Sequence, residues 1–240
     1  MVNVNDLHEL VKSRRSIRGY DESRTVSNEA IQTMLDCARW APSGGNGQPW
    51  EFIVVRNQET RHKIADLYLK QLEQKREMDL AVRGTAKMTG DGFRHAPVHI
   101  IIVGDPRVKE SYPIRTKLEK ADSHFITGLA NVTLLIHLAA TALGLASQYV
   151  SDANSPYMET MLKVLLKIPE PLRIYHLVPI GYAKSHVAAP PRRELDEILH
   201  FEEYDMNKFR DEQALSRFIR TRTLQGAYGR RGLGDELKSR

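Results

Sequence analysis

The sequence predicts a single domain of intermixed helices and strands, and three observations carry that reading. Apolar runs of strand length occur at 51–55, 98–103 and 174–182, each next to glycine or proline. Longer stretches between them place apolar residues at helical spacing. No linker or internal repeat divides residues 1–206. Residues 207–240 lack the apolar content for a core of their own and read as a basic C-terminal arm.

Residues 4–13 set Leu7, Leu10 and Val11 on one helical face, with Asn5 or Asp6 available as the cap. The run Ser13-Arg14-Arg15-Ser16-Ile17-Arg18-Gly19-Tyr20 closes this helix. Its arginines offer planar forks that match phosphate oxygens, and its serine hydroxyls can fill the gaps. The plainer alternative is a solvated, charged helix end. Ser27 is placed to cap a second helix whose Ile31, Met34, Leu35 and Ala38 form an apolar stripe. Cys37 falls in that helix and is expected to be a small buried residue rather than a nucleophile. Ala41 to Trp50 then holds two prolines, three glycines, a serine and an asparagine, which neither a helix nor a sheet accommodates. It reads as a binding loop or as an ordinary helix-to-strand turn.

The strand 51–55 is apolar enough to lie buried. Residues 57–83 return to helical spacing through Ile64, Leu67 and Leu72, and Gly84 to Gly92 ends the pattern. That polar, glycine-punctuated stretch is either a mobile cover over a pocket or a surface connection. Val98–Val103 is a central strand between Pro97 and Gly104-Asp105-Pro106. Residues 122–143 form the most apolar helix, ended by Gly144. Leu145–Asp152 follows as a short strand with a polar end, then a helix over 155–167 with Pro156 in its first turn. After the strand 174–182, Pro190-Pro191-Arg192-Arg193 sets a second arginine pair on a rigid lead-in, and Leu195, Ile198 and Leu199 suggest a short amphipathic turn.

At 240 residues, with 41% hydrophobic and 27% charged, the composition is that of a soluble globular protein. The N-terminus has no signal-peptide core, and no uninterrupted apolar run is long enough to cross a bilayer. One cysteine excludes a disulfide framework, and a reducing, cytoplasmic setting is expected. The net charge of +5 lies in the arm, where nine Lys/Arg face four Asp/Glu, whereas residues 1–206 balance at 26 of each sign. A nucleic-acid reading would rest on that arm alone, with only Phe209, Phe218 and Tyr228 as aromatic partners. Neither nucleic acid nor membrane is an expected partner.

Most catalytic chemistries lack their residues. There is no cysteine pair, HExxH or tight His/Asp spacing for a metal, and no GxSxG nucleophile elbow. No GxGxxG or GxxxxGKS loop is present, which argues against a dinucleotide-binding Rossmann domain. What remains is two separated arginine clusters, a glycine/proline loop and a polar strand end. That set suits a phosphorylated cofactor that carries its own redox chemistry.

Five segments, in order, resemble the FMN-dependent nitroreductase family. They are Arg14-Arg15-Ser16-Ile17-Arg18, Ala41-Pro42-Ser43…Asn46…Gln48-Pro49-Trp50 with its following strand, Ala142-Leu143-Gly144-Leu145, Val178-Pro179-Ile180-Gly181-Tyr182, and Pro191-Arg192-Arg193. The match spans roughly residues 5–205.

The resemblance implies an α+β fold, a nitroreductase-like mixed β-sheet flanked by helices, in an intertwined homodimer with two FMN sites at its interface. Arg14, Arg15, Ser16 and Arg18 would hold the ribityl and phosphate of FMN, and Arg192 or Arg193, with Arg193 favoured, would close on the phosphate. Pro42, Ser43 and Gly44 would approach the isoalloxazine from the partner subunit, and Tyr149, Ser151 and Asp152 would lie along its buried side near N5. Many members carry Glu-Gly where this chain has Ser151-Asp152, so Asp152 is placed to alter flavin electronics. The implied activity passes hydride from NADH or NADPH through FMN to an electron-poor acceptor such as a nitroaromatic, a quinone or an activated enone, with no protein side chain needed as catalyst. Reductive dehalogenation and oxygen-dependent flavin chemistry are alternatives on the same fold. A non-catalytic flavin or nucleic-acid binding protein using the arm is another.

Overall fold

Four strands form one sheet: β1 (Trp50–Val55), β2 (Val98–Gly104), β3 (Ala146–Ser147) and β4 (Arg173–Gly181), in spatial order β1-β2-β4-β3. The computed structural model describes residues 3–84 and 92–222, and its contacts separate into two compact units, Met1–Val187 and Ala188–Arg240. All three strand pairings are antiparallel, and the parallel component of the expected mixed sheet is an isolated bridge between Ser16 and Ser147. The first unit also carries helices α1 (Val4–Ser13), α2 (Asn28–Ala38), α3 (Gln58–Arg83), α4 (Ile114–Ala142) and α5 (Pro156–Leu166).

β2 explains the layering. Every one of its residues is buried, so a continuous apolar run is what its position demands. Because successive strand side chains point to opposite faces, Val98, Ile100 and Ile102 join Ile31 and Met34 of α2 and Leu129, Val132 and Ile136 of α4. Ile101 and Val103 instead meet Ile64 of α3 and Met158 and Leu162 of α5. The sheet is thus sandwiched between two helical layers, the α+β architecture.

Several boundaries differ from expectation for identifiable reasons. Asn3, not Asn5 or Asp6, caps α1 by accepting from the Asn5 amide. β1 is an edge strand, so Glu51 is exposed and Phe52 to Val54 are only half-buried. α4 begins at Ile114, eight residues before the apolar pattern, because its first turns face solvent and hold charged pairs such as Arg115–Glu119. By length and composition α4 could cross a membrane; its buried stripe of Phe125, Leu129, Val132 and Ile136 instead packs on the sheet. The strand expected over 145–152 shrinks to Ala146–Ser147 and gives way to a 3₁₀ turn at Ser151–Asn154. Cys37 is exposed rather than buried, since Met34 and Ala38 take the inward face of α2 and Cys37 falls beside that stripe. Ser27 does cap α2, accepting from the Ala30 amide. Gly84 ends α3 in the left-handed region at φ 67°, and most of the proposed cover between Gly84 and Gly92 lies outside the described residues.

In the second unit, a capping box between Glu194 and Glu197 starts a 3₁₀ turn at Leu195–Glu197, and α6 (Glu212–Arg222) follows. None of its described residues is buried, and Phe201, Tyr204, Met206 and Phe209 stand exposed. Residues 223–240 of the basic arm lie outside the described residues.

Ile102 is fully buried at the centre of β2. Ile102→Ala is expected to cost roughly 2–5 kcal/mol of stability, measured by urea unfolding as a lowered midpoint with an unchanged slope.

Candidate functional site

The arginine-rich segment after α1 is laid along the sheet by two apolar anchors. Ile17 and Tyr20 are buried, and the Ile17 amide donates to the Ser147 carbonyl at 2.9 Å. The Tyr20 hydroxyl donates to the Pro179 carbonyl at 3.2 Å, and burial raises its pKa strongly. The Asp21 amide reaches the Tyr182 carbonyl at 2.9 Å, and Lys184 N donates to the Gly19 carbonyl at 3.0 Å. With the backbone fixed, Arg14, Arg15 and Ser16 are half-buried and Arg18 is exposed. Arg15 Nη1 donates to the carbonyls of Lys12 and Arg14, while its buried Nε has no protein partner.

β3 and the following turn face this segment. His137 of α4 pairs its Nδ1 with Ser147 Oγ at 2.7 Å, and its buried Nε2 is unpartnered. Burial pulls the His137 pKa down to about 4, and Arg14 lowers it further. Tyr149 stacks edge-on against His176 of β4 with ring centroids 3.8 Å apart. The His176 pKa falls to about 4, chiefly by burial and then by His137. Gln148 Oε1 is also buried without a partner. Ser151 is exposed at the 3₁₀ turn, and Asp152 accepts from Lys75 Nζ of α3 at 2.7 Å. Ser155 Oγ donates to Gln71 Oε1 at 2.8 Å. Tyr68 of α3 completes the rim: burial raises its pKa, Asp152 adds to the rise and Arg18 opposes it. Arg14, Arg15, Ser16 and Arg18 therefore share one region with Tyr149, Ser151 and Asp152. Tyr68, Gln71, Lys75, His137 and His176 join them without having been singled out from sequence.

Pro42, Ser43 and Gly44 sit elsewhere on this chain. They line a cleft of about 360 Å³ with Ser123, His124, Thr127 and Asn131. Asn131 Nδ2 donates to the Pro42 carbonyl at 3.0 Å, and Ser43 Oγ accepts from the Gln48 amide at 3.0 Å. Part of the loop is a 3₁₀ turn, Gly44–Asn46. Gly44 is required because an added Cβ would lie 2.5 Å from His124 Nδ1. His124 and His137 are thirteen residues apart on α4, a separation of roughly 20 Å along the helix. Arg192 and Arg193 belong to the second unit, where Arg193 Nη2 donates to the Glu197 carbonyl at 2.6 Å and Arg192 Nη1 to the carbonyls of Pro190 and Pro191 at 3.3 Å.

The structure thus sets a cationic, sheet-anchored segment beside buried polar atoms that no described protein group satisfies. The Nitroreductase family model matches residues 11–182, and the chain belongs to that family of oxidoreductases. A protein of Archaeoglobus fulgidus provisionally named NADH dehydrogenase/NAD(P)H nitroreductase is 30% identical over 176 residues, covering 73% of this chain and 84% of that protein. Iodotyrosine deiodinase 1 of Sus scrofa is 27% identical over 205 residues, covering 81% and 68%. The solved FMN-dependent nitroreductase of Clostridium difficile R20291 superposes with a TM-score of 0.60 at 26% identity, covering 81% of this chain and 98% of that one.

The buried histidines make stability pH-dependent. Their folded pKa values lie below the ordinary 6.5, at about 4 for His137 and His176 and about 3 for His99. The unfolded chain therefore binds protons first as pH falls. Stability should be complete above about pH 6.5 and decline between there and pH 4, at up to about 1.4 kcal/mol per pH unit for each group. Urea titrations from pH 8 to 4 check this, and His176→Phe should flatten part of the decline.

Proposed function

We propose that this chain is an FMN-dependent oxidoreductase that moves reducing equivalents from NADH or NADPH to an electron-poor acceptor such as a nitroaromatic, a quinone or an activated enone. The observation that carries the reading is the meeting of Arg14–Arg18 with Ser147–Asp152 around buried polar atoms that no protein group satisfies. FMN, when bound, supplies the hydride-accepting and hydride-donating chemistry, and the protein contributes binding, orientation and electrostatics. Arg14, Arg15, Ser16 and Arg18 hold the phosphate and ribityl, because a dianion wants several fork donors. Arg192 and Arg193, held by backbone carbonyls, are further candidate donors to a phosphate, with Arg193 preferred. Tyr149, Ser151 and Asp152 line the ring system, and Lys75 tempers the Asp152 charge there.

The working unit in this reading is a homodimer. Pro42, Ser43 and Gly44 lie too far along α4 to serve the Arg14 region of their own chain, so they serve the partner's site. Unmatched apolar surface supports this: α1 buries none of its residues and leaves Val4, Leu7 and Val11 exposed. The described part of the arm, residues 207–222, then packs on the partner subunit. A second reading, reductive dehalogenation, is favoured by the similarity to iodotyrosine deiodinase 1. A panel of nitroaromatic, quinone and 3-iodotyrosine acceptors, each with NADH and with NADPH, separates the two.

Purified protein should show flavin absorption, or gain it with added FMN; a chain that stays colourless and binds no FMN overturns the proposal. Arg15→Ala should weaken FMN binding by roughly ten- to a hundredfold at an unchanged melting temperature of the FMN-free protein. Removal of residues 207–240 should lower dimer stability and flavin retention together, read by sedimentation and by absorbance after dialysis. Retention of both would remove the arm from the interface.

A further inference from the structure

Away from that site, one cleft gathers positive charge that the described residues around it leave unbalanced. It measures about 400 Å³ and is lined by Glu22, Thr25, Arg56, Arg61, Arg94 and His95, among others. Arg56 stands just after β1, Arg61 in the first turns of α3, and Arg94 and His95 just before β2. Arg56 donates from Nη1 to Asn28 Oδ1 and from Nη2 to the Val26 carbonyl at 2.8 Å. Arg61 donates from Nε to the Arg56 carbonyl at 3.2 Å and from Nη1 to the Ala96 carbonyl at 2.5 Å. All four acceptors are neutral. They fix both guanidiniums in place without cancelling either charge, and each fork retains unused N–H donors.

The nearby carboxylates do not change this. Asp66 bonds Arg94, and Glu22 accepts from or faces His95 Nδ1 at 2.8 Å. Glu29 senses Arg56 only as the weakest of the influences on its pKa. Burial lowers the Arg61 pKa, and among the described residues no acidic group opposes the shift. A partly desolvated, geometrically fixed cation of this kind gains most from an anion with several acceptor oxygens.

We propose that this cleft is a second anion site, taking a phosphate-type oxyanion either as free phosphate or as the phosphoryl group of a nucleotide. The site is independent of the FMN reading. Titration calorimetry on the full-length protein, loaded with one equivalent of FMN per chain and freed of excess FMN, tests it using inorganic phosphate at low ionic strength. The expected result is saturable binding of one phosphate per chain, weakened at least tenfold by Arg56→Gln with Arg61→Gln and unchanged by Arg15→Ala. Thr25→Glu, which adds a carboxylate at the exposed rim, should weaken it equally and covers the case in which the double variant fails to fold. No saturable binding, equal binding of chloride, or loss with Arg15→Ala but not with the cleft variants would overturn the proposal. Adenosine 2′-monophosphate binding at least tenfold tighter than phosphate would assign the site to a nucleotide, and equal affinity would assign it to free phosphate.

Discussion

The site depends on the burial of Ile17 and Tyr20 against the edge of the sheet. A run of three arginines close to a helix end would ordinarily be a solvated, mobile surface, since exposed charges gain little from one geometry. Two apolar side chains with a cation between them in sequence change that outcome. Their burial fixes the backbone from residue 16 to 21, the Ser147 and Tyr182 carbonyls take its amides, and the arginines are left with few choices of direction. Arg15 is half-buried with one donor unsatisfied. The hydrophobic effect, roughly 1.5–3 kcal/mol for each large side chain buried, is here the source of electrostatic preorganisation.

The sheet passes the constraint on. β3 is only two residues long, yet it pairs with β4 at Gly181 and Ile180 and touches the arginine segment through Ser147. Gly181 is needed at that junction, where a Cβ would lie 2.6 Å from Pro97 and 3.0 Å from Tyr20. The 3₁₀ turn after β3 then presents Asp152 to Lys75. The charges gathered near Tyr149 are thus set by the segment after α1, by α3 and by the β3–α5 connection, three segments far apart in sequence.

This distribution accounts for what the sequence disclosed. Arg14–Arg18 and Ala41–Trp50 announced themselves by unusual local composition, and the core positions of α2, β2 and α4 followed from periodicity. Lys75, Gln71 and Tyr68 gave no signal, because α3 reads as an ordinary charged helix until its tertiary neighbour is known. His137 and His176 looked like isolated histidines in apolar elements; only the antiparallel register of β4 and the packing of α4 bring them beside Tyr149. Cys37 and β1 failed for one shared reason: apolar character was read as burial, whereas a helix face and a sheet edge each leave some of it outside.

The arginines of this chain are held in two ways that leave different amounts of charge available. Arg39, Arg76, Arg94 and Arg107 pair with carboxylates, so their charge is largely spent within the fold and their forks are occupied. Arg15, Arg192 and Arg193 are held by backbone carbonyls instead, which orient a fork while leaving its charge to act on something else. Backbone oxygens carry only partial charge, so an incoming dianion does not have to displace a competing carboxylate, whereas one approaching Arg107 would have to break a bidentate pair. Arg56 and Arg61 are held in the same carbonyl-bound manner. In both proposed sites the choice of acceptor, more than the number of arginines, is what leaves charge available to an anion.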